Sequence, residues 1–241
     1  MITVCVILNY NDSETTINLL KSISEYEELD FIIVVDNKST DNSFEILSRY
    51  INEKIRIVST DKNGGYGYGN NYGIRFAFNN LKATHILISN PDVEFTSNSV
   101  KAMKKAFLEY DECAIIAPVT YNKGKIVAWK TTDLFQEVAY STFLFRRFFK
   151  PKKDYSKEFF GDKESCYVDI VSGSLLMVNA KIMIESGMYD ENVFLYNEEK
   201  ILYCKMKQKG YKSLLLLNET FIHHHSVSVR KSINSLVKIK K

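Results

Sequence analysis

Apolar, β-branched runs alternate with helix-like periodicity through the first half of the chain. Residues 4–8, 31–35, 55–59 and 85–89 have the composition of buried strands, and apolar positions between them recur every three or four residues. Repeated strand–helix–strand units place parallel strands side by side with helices on both faces. The pattern therefore predicts an α/β, Rossmann-like, mostly parallel central sheet flanked by helices.

Local signals predict where individual elements begin and end. The first helix is expected to begin at Asp12 or Ser13, and the second to begin within 39–41 and extend to Ile51. The glycines from 64 to 69 are expected to precede the third helix. Later elements are predicted as helices over 98–110 and 198–209 and as strands over 114–117 and 214–217.

Residues 121–166 mix aromatic and basic side chains without clean periodicity. We interpret them as a variable acceptor- or membrane-side region, because the strand and helix pattern resumes after them. The expected organisation is one domain over residues 1–228, followed by a basic tail at 229–241.

Composition limits the class of protein. The 241 residues are 45% hydrophobic and 25% charged, which is an ordinary globular balance. A formal net charge of +3 is too small for a nucleic-acid footprint, so we expect no nucleic-acid partner. The four cysteines contain no CxxC pair and are interpreted as reduced core residues of a cytoplasmic protein. No signal peptide is visible and no apolar stretch reaches about 18 residues, so the chain is not expected to cross a bilayer.

Aromatic and basic residues cluster at 143–153, and further basic residues follow at 230–241. Such clusters hold peripheral proteins on anionic lipid, which predicts contact with the inner face of the cell membrane. A solvated basic face with ordinary buried phenylalanines is the alternative. A homodimer also stays open, because no residue pattern specifies the oligomeric state.

Polar residues follow the predicted strands at the points where the strands end. Asn9, Tyr10 and Asn11 follow the first strand, and Asp36 and Asn37 follow the second. In an open parallel sheet, ligands bind outside the carboxyl ends of the strands, so this edge is the candidate site. An ionised Asp36 only accepts hydrogen bonds and would suit the imino N–H of uracil, thymine or guanine. The alternative is a turn in which this carboxylate bonds nearby backbone.

Asp92 follows the fourth strand in the sequence Ser-Asn-Pro-Asp-Val-Glu. Pro91 bends the chain there and directs the carboxylate into the same edge. Mg²⁺ or Mn²⁺ on a diphosphate needs only one or two protein carboxylates, so Asp92, with Glu94 as a candidate helper, is predicted to bind a metal ion. A turn without a metal is the alternative.

The glycine-rich stretch 64–73 permits close backbone approach and leads into a helix whose N-terminus favours anions. It lacks the Lys-Ser/Thr pair of a Walker A loop and departs from GxGxxG at Asn70. A flexible connection is the alternative interpretation.

Two adjacent acids, Glu198 and Glu199, open a predicted helix directly after the hydrophobic run 193–196. A carboxylate beside that run would have a raised pKa and could take a proton from an acceptor hydroxyl. Asp190 and Glu191 are nearby competitors for this role. Acids also favour helix starts through the helix dipole, which is the structural alternative.

His223, His224 and His225 follow the last predicted strand. An extended backbone sends alternate rings to opposite sides, so at most two of them can reach one target. Imidazole is a competent metal ligand, and solvent-facing histidines are the alternative.

Together these motifs resemble glycosyltransferase family 2 of the GT-A fold, especially its rhamnosyltransferase-like branch. The resemblance runs from Val4 to Ser228. It rests on Ile-Leu-Asn-Tyr-Asn (7–11), Val-Val-Asp-Asn-Lys-Ser-Thr-Asp (34–41), Asn63-Gly64-Gly65, Gly69 to Gly73, Asn-Pro-Asp (90–92), Gly173 with its following apolar run, Gly-Met-Tyr-Asp-Glu (187–191), Phe-Leu-Tyr-Asn-Glu-Glu (194–199) and His223 spaced to Ser228.

The resemblance implies a single GT-A domain that transfers a sugar, with inversion, from a UDP- or dTDP-sugar donor to a lipid-linked or growing surface-polysaccharide acceptor. It implies Mg²⁺ or Mn²⁺ as cofactor, held by Asp92 and His223, and Glu199 or Glu198 as the catalytic base. The donor-binding residues that it implies are Asn9, Tyr10, Asn11, Asp36, Asn37, Asn63, Gly64, Asn70, Asn90, Asp92 and Gly173.

Three positions depart from the family pattern. Glu199 replaces the usual Asp of Glu-Asp, Ile201 replaces a frequent Asp, and Asn90 replaces the first acid of DxD. The longer Glu199 side chain leaves open a catalytically silent nucleotide-sugar binding or scaffold protein. A sugar nucleotidyltransferase ranks last, because the sequence lacks a basic Gly-rich triphosphate loop near its start.

Overall fold

The computed structural model describes residues 1–131 and 154–224 of the chain. Its strands are β1 (Thr3–Asn9), β2 (Phe31–Asp36), β3 (Ile55–Ser59), β4 (His85–Ser89), β5 (Val93–Glu94), β6 (Cys113–Val119), β7 (Tyr121–Asn122), β8 (Lys125–Ile126), β9 (Ala128–Trp129), β10 (Ser165–Val168), β11 (Ile170–Val171), β12 (Leu175–Asn179), β13 (Lys212–Thr220) and β14 (Ile222–His223). Its helices are α1 (Ser13–Ile23), α2 (Ser43–Ser48), α3 (Gly65–Leu81), α4 (Ser97–Glu109), α5 (Lys157–Phe160), α6 (Ala180–Glu185) and α7 (Glu198–Gln208).

Within the described residues, the central sheet has eight strands in the order β10-β13-β6-β12-β4-β1-β2-β3. Strands β4, β1, β2 and β3 pair in parallel, as do β6 and β13. Strands β12 and β10 run against their neighbours. The prediction of a mostly parallel α/β sheet is therefore confirmed, and the two reversed strands are an addition to it.

Both faces of the sheet are covered, which explains why the strands are apolar throughout rather than alternating. Val4 and Val6 of β1 belong to one buried cluster together with Ile74 of α3. Cys5 and Ile7, which point the other way, belong to a second cluster packed by α1 and α4. Buried clusters therefore lie on both faces of the sheet, between it and the helices.

Helix α3 begins within the glycine cluster, so the prediction that the glycines precede it is wrong. A Cβ on Gly69 would lie 2.3 Å from Leu8 Cδ1, and one on Gly73 would lie 2.5 Å from Val6 Cγ1. Because glycine has no side chain, the helix packs directly against the sheet, and this close approach buries one face of the helix.

Other boundaries also differ from those predicted. Helix α1 begins at Ser13 as expected, whereas α2 begins only at Ser43 and leaves Ile51 outside with 53% of its surface exposed. Strand β13 is longer than the predicted 214–217, because it pairs with β6 on one side and β10 on the other. Tertiary pairing rather than apolar composition determines its length.

Residues 121–131 and 154–166 are more regular than predicted. They contain the short strands β7, β8 and β9, helix α5 and the start of β10, and Trp129 forms a bridge to Asp154. Residues 132–153 and 225–241, which include both basic clusters, lie outside the described residues. The domain bounds at 228 and 229 stay a prediction.

Three of the four cysteines are buried as predicted, and burial raises the pKa of Cys113 to about 12. Cys204 is exposed on α7, so its assignment to the core is wrong. Among the described residues, no helix combines the length and apolar character that a bilayer span requires.

Candidate active site

The ends of β1 and β2 join in a compact polar cluster around Asp36. Asn9 Nδ2 donates to Asp36 Oδ1 at 3.0 Å, the Ser39 N–H donates to Oδ2 at 3.0 Å, and Ser39 Oγ donates to Oδ1 at 2.5 Å. Asp36 is only 2% exposed. In this structure the carboxylate stabilises the turn that follows β2, which is the local role that the sequence left open beside base binding.

Neighbouring donor-site candidates connect this turn to α3. Asn37 Nδ2 donates to Asn63 Oδ1 at 3.0 Å and to the Gly65 carbonyl at 3.1 Å, while Thr60 Oγ1 donates to Asn37 Oδ1 at 3.2 Å. Asn37 therefore holds the start of α3 against the end of β2.

Tyr10 and Asn11 form the outer rim of the cluster. Tyr10 is 39% exposed, and Asn11 adopts a left-handed conformation with φ of 52°. Asn11 Oδ1 accepts the Thr40 N–H at 2.8 Å, and the Asn11 N–H donates to Ser39 Oγ at 2.9 Å. The two loops after β1 and β2 are thus bonded into one surface, with Tyr10 beside it.

The N-terminus of α3 packs against protein instead of lying open to an anion. Gly65 has φ of +90°, and a Cβ there would lie 2.2 Å from the Phe194 carbonyl oxygen. The Tyr66 N–H donates to the same oxygen at 3.1 Å. Gly64 precedes this contact, and the buried Asn70 donates from Nδ2 to the Tyr66 carbonyl at 3.1 Å. The glycines dock the segment before α7 onto α3.

Asp92 and His223 lie side by side at the small antiparallel pair of β5 and β14, which follow β4 and β13 along the chain. Asp92 Oδ1 is 3.3 Å from His223 Nε2, and Asp92 is 7% exposed. His224 Nε2 is 2.8 Å from Glu94 Oε1, so the two rings have different carboxylate partners. The alternation of the histidine rings stays a prediction, and His225 lies outside the described residues.

The donor set at Asp92 and His223 suits a hard divalent cation that keeps other ligands. One carboxylate oxygen and one imidazole nitrogen meet there, and no group of three His, Cys, Asp or Glu ligands occurs among residues 1–131 and 154–224. Mg²⁺ and Mn²⁺ sites commonly take one or two protein ligands and complete the shell with water and phosphate oxygens. The two residues therefore fit the cation that the sequence implies.

The two adjacent glutamates occupy the first turn of α7. Glu198 is 3% exposed, and its Oε1 has no hydrogen-bond partner in the described part of the chain. Glu199 lies against Gly173, where a Cβ would be 2.2 Å from Glu199 Oε1. Burial raises the pKa of both carboxyls, and the charge of Glu198 raises that of Glu199 further. Both groups hold protons more strongly than an ordinary glutamate.

The competing acids of the preceding loop are occupied elsewhere. Glu191 accepts hydrogen bonds from Asn71 and Arg75, each at 2.9 Å, and Asp190 accepts from the N–H and the side chain of Asn192. The contacts of Glu191 fasten the loop to α3, and those of Asp190 lie within the loop. They leave Glu198 and Glu199 as the pair of acids that faces the cavity.

A cavity of about 350 Å³ joins the glutamates to the carboxyl edge of the sheet. It brings together five residues that the sequence singled out, namely Asn90, Gly173, Glu198, Glu199 and His223. Asp36, Asn9 and Asn37 do not line it and form their own cluster at the end of β1 and β2. Because β1 pairs in parallel with both β2 and β4, that cluster and Asp92 nevertheless lie at the same edge.

Sequence reasoning missed the aromatic and hydroxyl walls of this cavity. They come from Tyr66, Tyr121, Trp129, Ser172 and Ser174, whereas Tyr196 beside the glutamates belongs to the hydrophobic run that the sequence had indicated. Tyr66 OH donates to the Gly173 carbonyl at 2.8 Å and so helps to hold the backbone on which Glu199 rests. Its place inside the glycine-rich stretch was the one signal that could have identified it.

The architecture is that of the GT-A glycosyltransferases. The fold superposes on GalNAc-T7, solved with UDP, GalNAc and Mn²⁺, with a TM-score of 0.73 at 15% identity, covering 95% of this chain and 44% of that one. It also superposes on the mannosyltransferase PcManGT of Pyrobaculum calidifontis, solved with GDP-Man and Mn²⁺, with a TM-score of 0.63 at 14% identity, covering 94% and 57%. At these identities the likeness concerns the fold alone.

The chain belongs to glycosyl transferase family 2, whose family model matches residues 4–180. It is 27% identical over 203 residues to the low-salt glycan biosynthesis hexosyltransferase Agl10 of Haloferax volcanii, covering 83% of this chain and 59% of that protein. It is 22% identical over 208 residues to the N-acetylglucosaminyl-diphospho-decaprenol L-rhamnosyltransferase of Mycobacterium tuberculosis, covering 82% and 67%. The chain therefore spans about three fifths to two thirds of the length of these relatives.

Proposed function

We propose that this protein is a metal-dependent, inverting glycosyltransferase that uses a UDP- or dTDP-sugar and extends a lipid-linked or growing surface glycan. The observation that carries the proposal is the pair Glu198 and Glu199, whose pKa values burial raises and which line a cavity that also reaches Asn90 and His223. Sugar transfer by direct displacement requires a proton acceptor for the acceptor hydroxyl and a site for the departing diphosphate, and the lining of this cavity offers candidates for both.

The glutamates act at the acceptor end. An ionised Glu199 or Glu198 accepts the proton of an acceptor hydroxyl as its oxygen attacks the anomeric carbon of the donor. The bond from that carbon to the diphosphate breaks on the opposite side, so the configuration inverts and a nucleoside diphosphate leaves. The low-polarity wall raises the proton affinity of the carboxylate, which makes it a better base once it is ionised.

Asp36, Asp92 and His223 act at the donor end. Asp36 accepts the imino N–H of a uracil or thymine base when the loop after β2 yields one of its present hydrogen bonds. Asp92 and His223 would hold the divalent cation. A cation bound there supplies the positive charge that a departing diphosphate requires.

The names of two relatives support the acceptor class. One is a hexosyltransferase of glycan biosynthesis, and the other acts on N-acetylglucosaminyl-diphospho-decaprenol, which is a lipid-linked sugar. The proposed site of action is accordingly the inner face of the cell membrane, where residues 143–153 would contact anionic lipid. Liposome sedimentation that is absent at every salt concentration would contradict this membrane contact.

A thermal-shift screen of donors with and without Mn²⁺ tests the function, because a ligand that binds the folded state raises Tm by mass action. UDP- or dTDP-sugars are expected to raise Tm more with Mn²⁺ than without it. Asp92→Asn is expected to abolish the Mn²⁺-dependent part. Glu94→Gln, which tests the candidate helper, is expected to retain it, because Glu94 Oε1 is engaged by His224 Nε2 at 2.8 Å. Absence of any donor-dependent shift in the wild-type protein would contradict the proposal.

The Glu199 substitution favours one second candidate, a nucleotide-sugar binding protein without turnover. The side chain is one methylene longer than the aspartate that the family resemblance implies, and it already fills the space above Gly173. Donor hydrolysis distinguishes the candidates. Donor binding without turnover in the wild-type protein, with turnover appearing in Glu199→Asp, would establish the silent protein.

A further inference from the structure

Asp169 connects three parts of the chain, namely the end of β9, the segment before α5, and helix α7. Asp169 lies between β10 and β11. Its Oδ2 accepts the Thr131 N–H at 2.7 Å and Thr131 Oγ1 at 2.9 Å, and its Oδ1 accepts the Tyr203 OH at 2.7 Å. Its own N–H donates to Tyr155 Oη at 2.9 Å. None of these residues was identified from the sequence.

Two of these contacts fix the strands on one side of the cavity. Thr131 follows β9, whose Trp129 lines the cavity and pairs with Ile170 of β11. Tyr155 follows Asp154, which bridges back to Trp129. These contacts therefore hold the backbone on either side of Asp169 independently of α7.

The third contact reaches α7 itself. Tyr203 is 7% exposed and comes four residues after Glu199, so the two side chains share one face of the helix. On that face Glu199 contacts Gly173, and Tyr203 bonds Asp169, which precedes Gly173 by four residues. The segment 169–173 and α7 are thus joined at two points one helical turn apart.

We propose that Asp169 is a positioning residue that holds α7 in register through Tyr203, so that Glu198 and Glu199 face the cavity. The inference rests on the proposed function, because it assigns these glutamates to the reaction. A hydrogen bond to an ionised carboxylate is strong and directional, so it specifies the rotation of the helix as well as its distance. Without it, α7 keeps the core packing of Leu202 and Met206 and the contact of Glu199 with Gly173, but it loses the polar contact one turn from Glu199 on the same face of the helix.

Tyr203→Phe and Tyr155→Phe provide a matched test. Each removes one hydroxyl that bonds Asp169, but only the first breaks the connection to α7. Hydrolysis of UDP-N-acetylglucosamine and dTDP-rhamnose with Mn²⁺ is measured as a function of pH, together with hydrogen exchange of residues 198–208. Tyr203→Phe is expected to lower kcat about 10- to 100-fold at unchanged donor KM, because small displacements of a catalytic group cost rates of this size.

The pH profile distinguishes positioning from simple stabilisation. A displaced α7 admits water to the glutamates, so the acidic limb of kcat is expected to shift to lower pH in Tyr203→Phe and to stay in place in Tyr155→Phe. Hydrogen exchange of α7 should increase in the first variant alone. Equal kcat, pH limbs and exchange in the two variants would overturn the inference while leaving the proposed function intact.

Absence of hydrolysis in the wild-type protein would count against the proposed function instead. The exchange measurement would still decide whether Asp169 holds α7, since it requires no turnover. Equal protection of residues 198–208 in both variants would then exclude the anchor.

Discussion

Glu199 lies so close to Gly173 that a methyl group on residue 173 would be 2.2 Å from Glu199 Oε1. The glycine has no positive φ that would demand it, so the requirement comes from this contact. Gly173→Ala is expected to displace the carboxylate and to lower kcat about 100-fold or more. The measurement is donor turnover at saturating donor.

Gly124→Ala is the matched control for this substitution. Gly124 has φ of +75°, and among the described residues nothing lies within 4 Å of the position that an added methyl group would take. The change is expected to cost about 1–3 kcal/mol in the free energy of unfolding through backbone strain, with kcat unchanged. Equal losses of turnover in both variants would show that the contact between Gly173 and Glu199 has no catalytic importance.

The pH dependence of turnover should report the buried glutamates. Because burial raises the pKa of Glu198 and Glu199, the fraction of ionised base falls as the pH drops through a value above the ordinary glutamate pKa of about 4.3. The acidic limb of kcat is expected there. Saturating donor and a full pH series measure it, and a limb at or below the ordinary glutamate value would contradict the assignment of a buried base.

Glu198→Gln is expected to stabilise the protein near neutral pH. A carboxyl whose folded pKa is raised binds its proton more tightly when folded, so it favours folding at low pH and opposes it once the pH exceeds the folded value. Removing the charge should therefore raise Tm near neutral pH, by about 2–4 °C for each kcal/mol. The difference should shrink towards acidic pH, and an unchanged Tm at neutral pH would contradict the prediction.

Trp129 should report acceptor binding directly. It is the only tryptophan in the sequence, and it lines the same cavity as the glutamates. A short-prenyl N-acetylglucosaminyl diphosphate is expected to change its emission saturably, because the sugar would replace water against the indole ring. Calorimetric binding of the same compound without any change in emission would place the acceptor elsewhere.

The polar edge of the sheet could be predicted from the sequence with good accuracy. Apolar runs ending at Asn9, Asp36 and Asn90 identify strands and their carboxyl ends, because strand burial leaves a local signature in the chain. The same reasoning placed Glu198 and Glu199 at the start of a helix. It also led to the family, since those motifs recur in a set order.

The remaining features depended on contacts between distant segments. Examples are the antiparallel placement of β12 between β4 and β6, the contact of Gly65 with Phe194, and the hydrogen bond of Asp169 with Tyr203. Each joins residues that are far apart in the sequence and are not related by a helix or strand repeat. Periodicity reports which face of an element is buried, and it does not report what covers that face. The sequence by itself thus determined the fold class, the family and the polar edge. Only the tertiary structure decided the cavity and the close contact of Glu199 with Gly173, because both arise from packing between elements that are distant in the sequence.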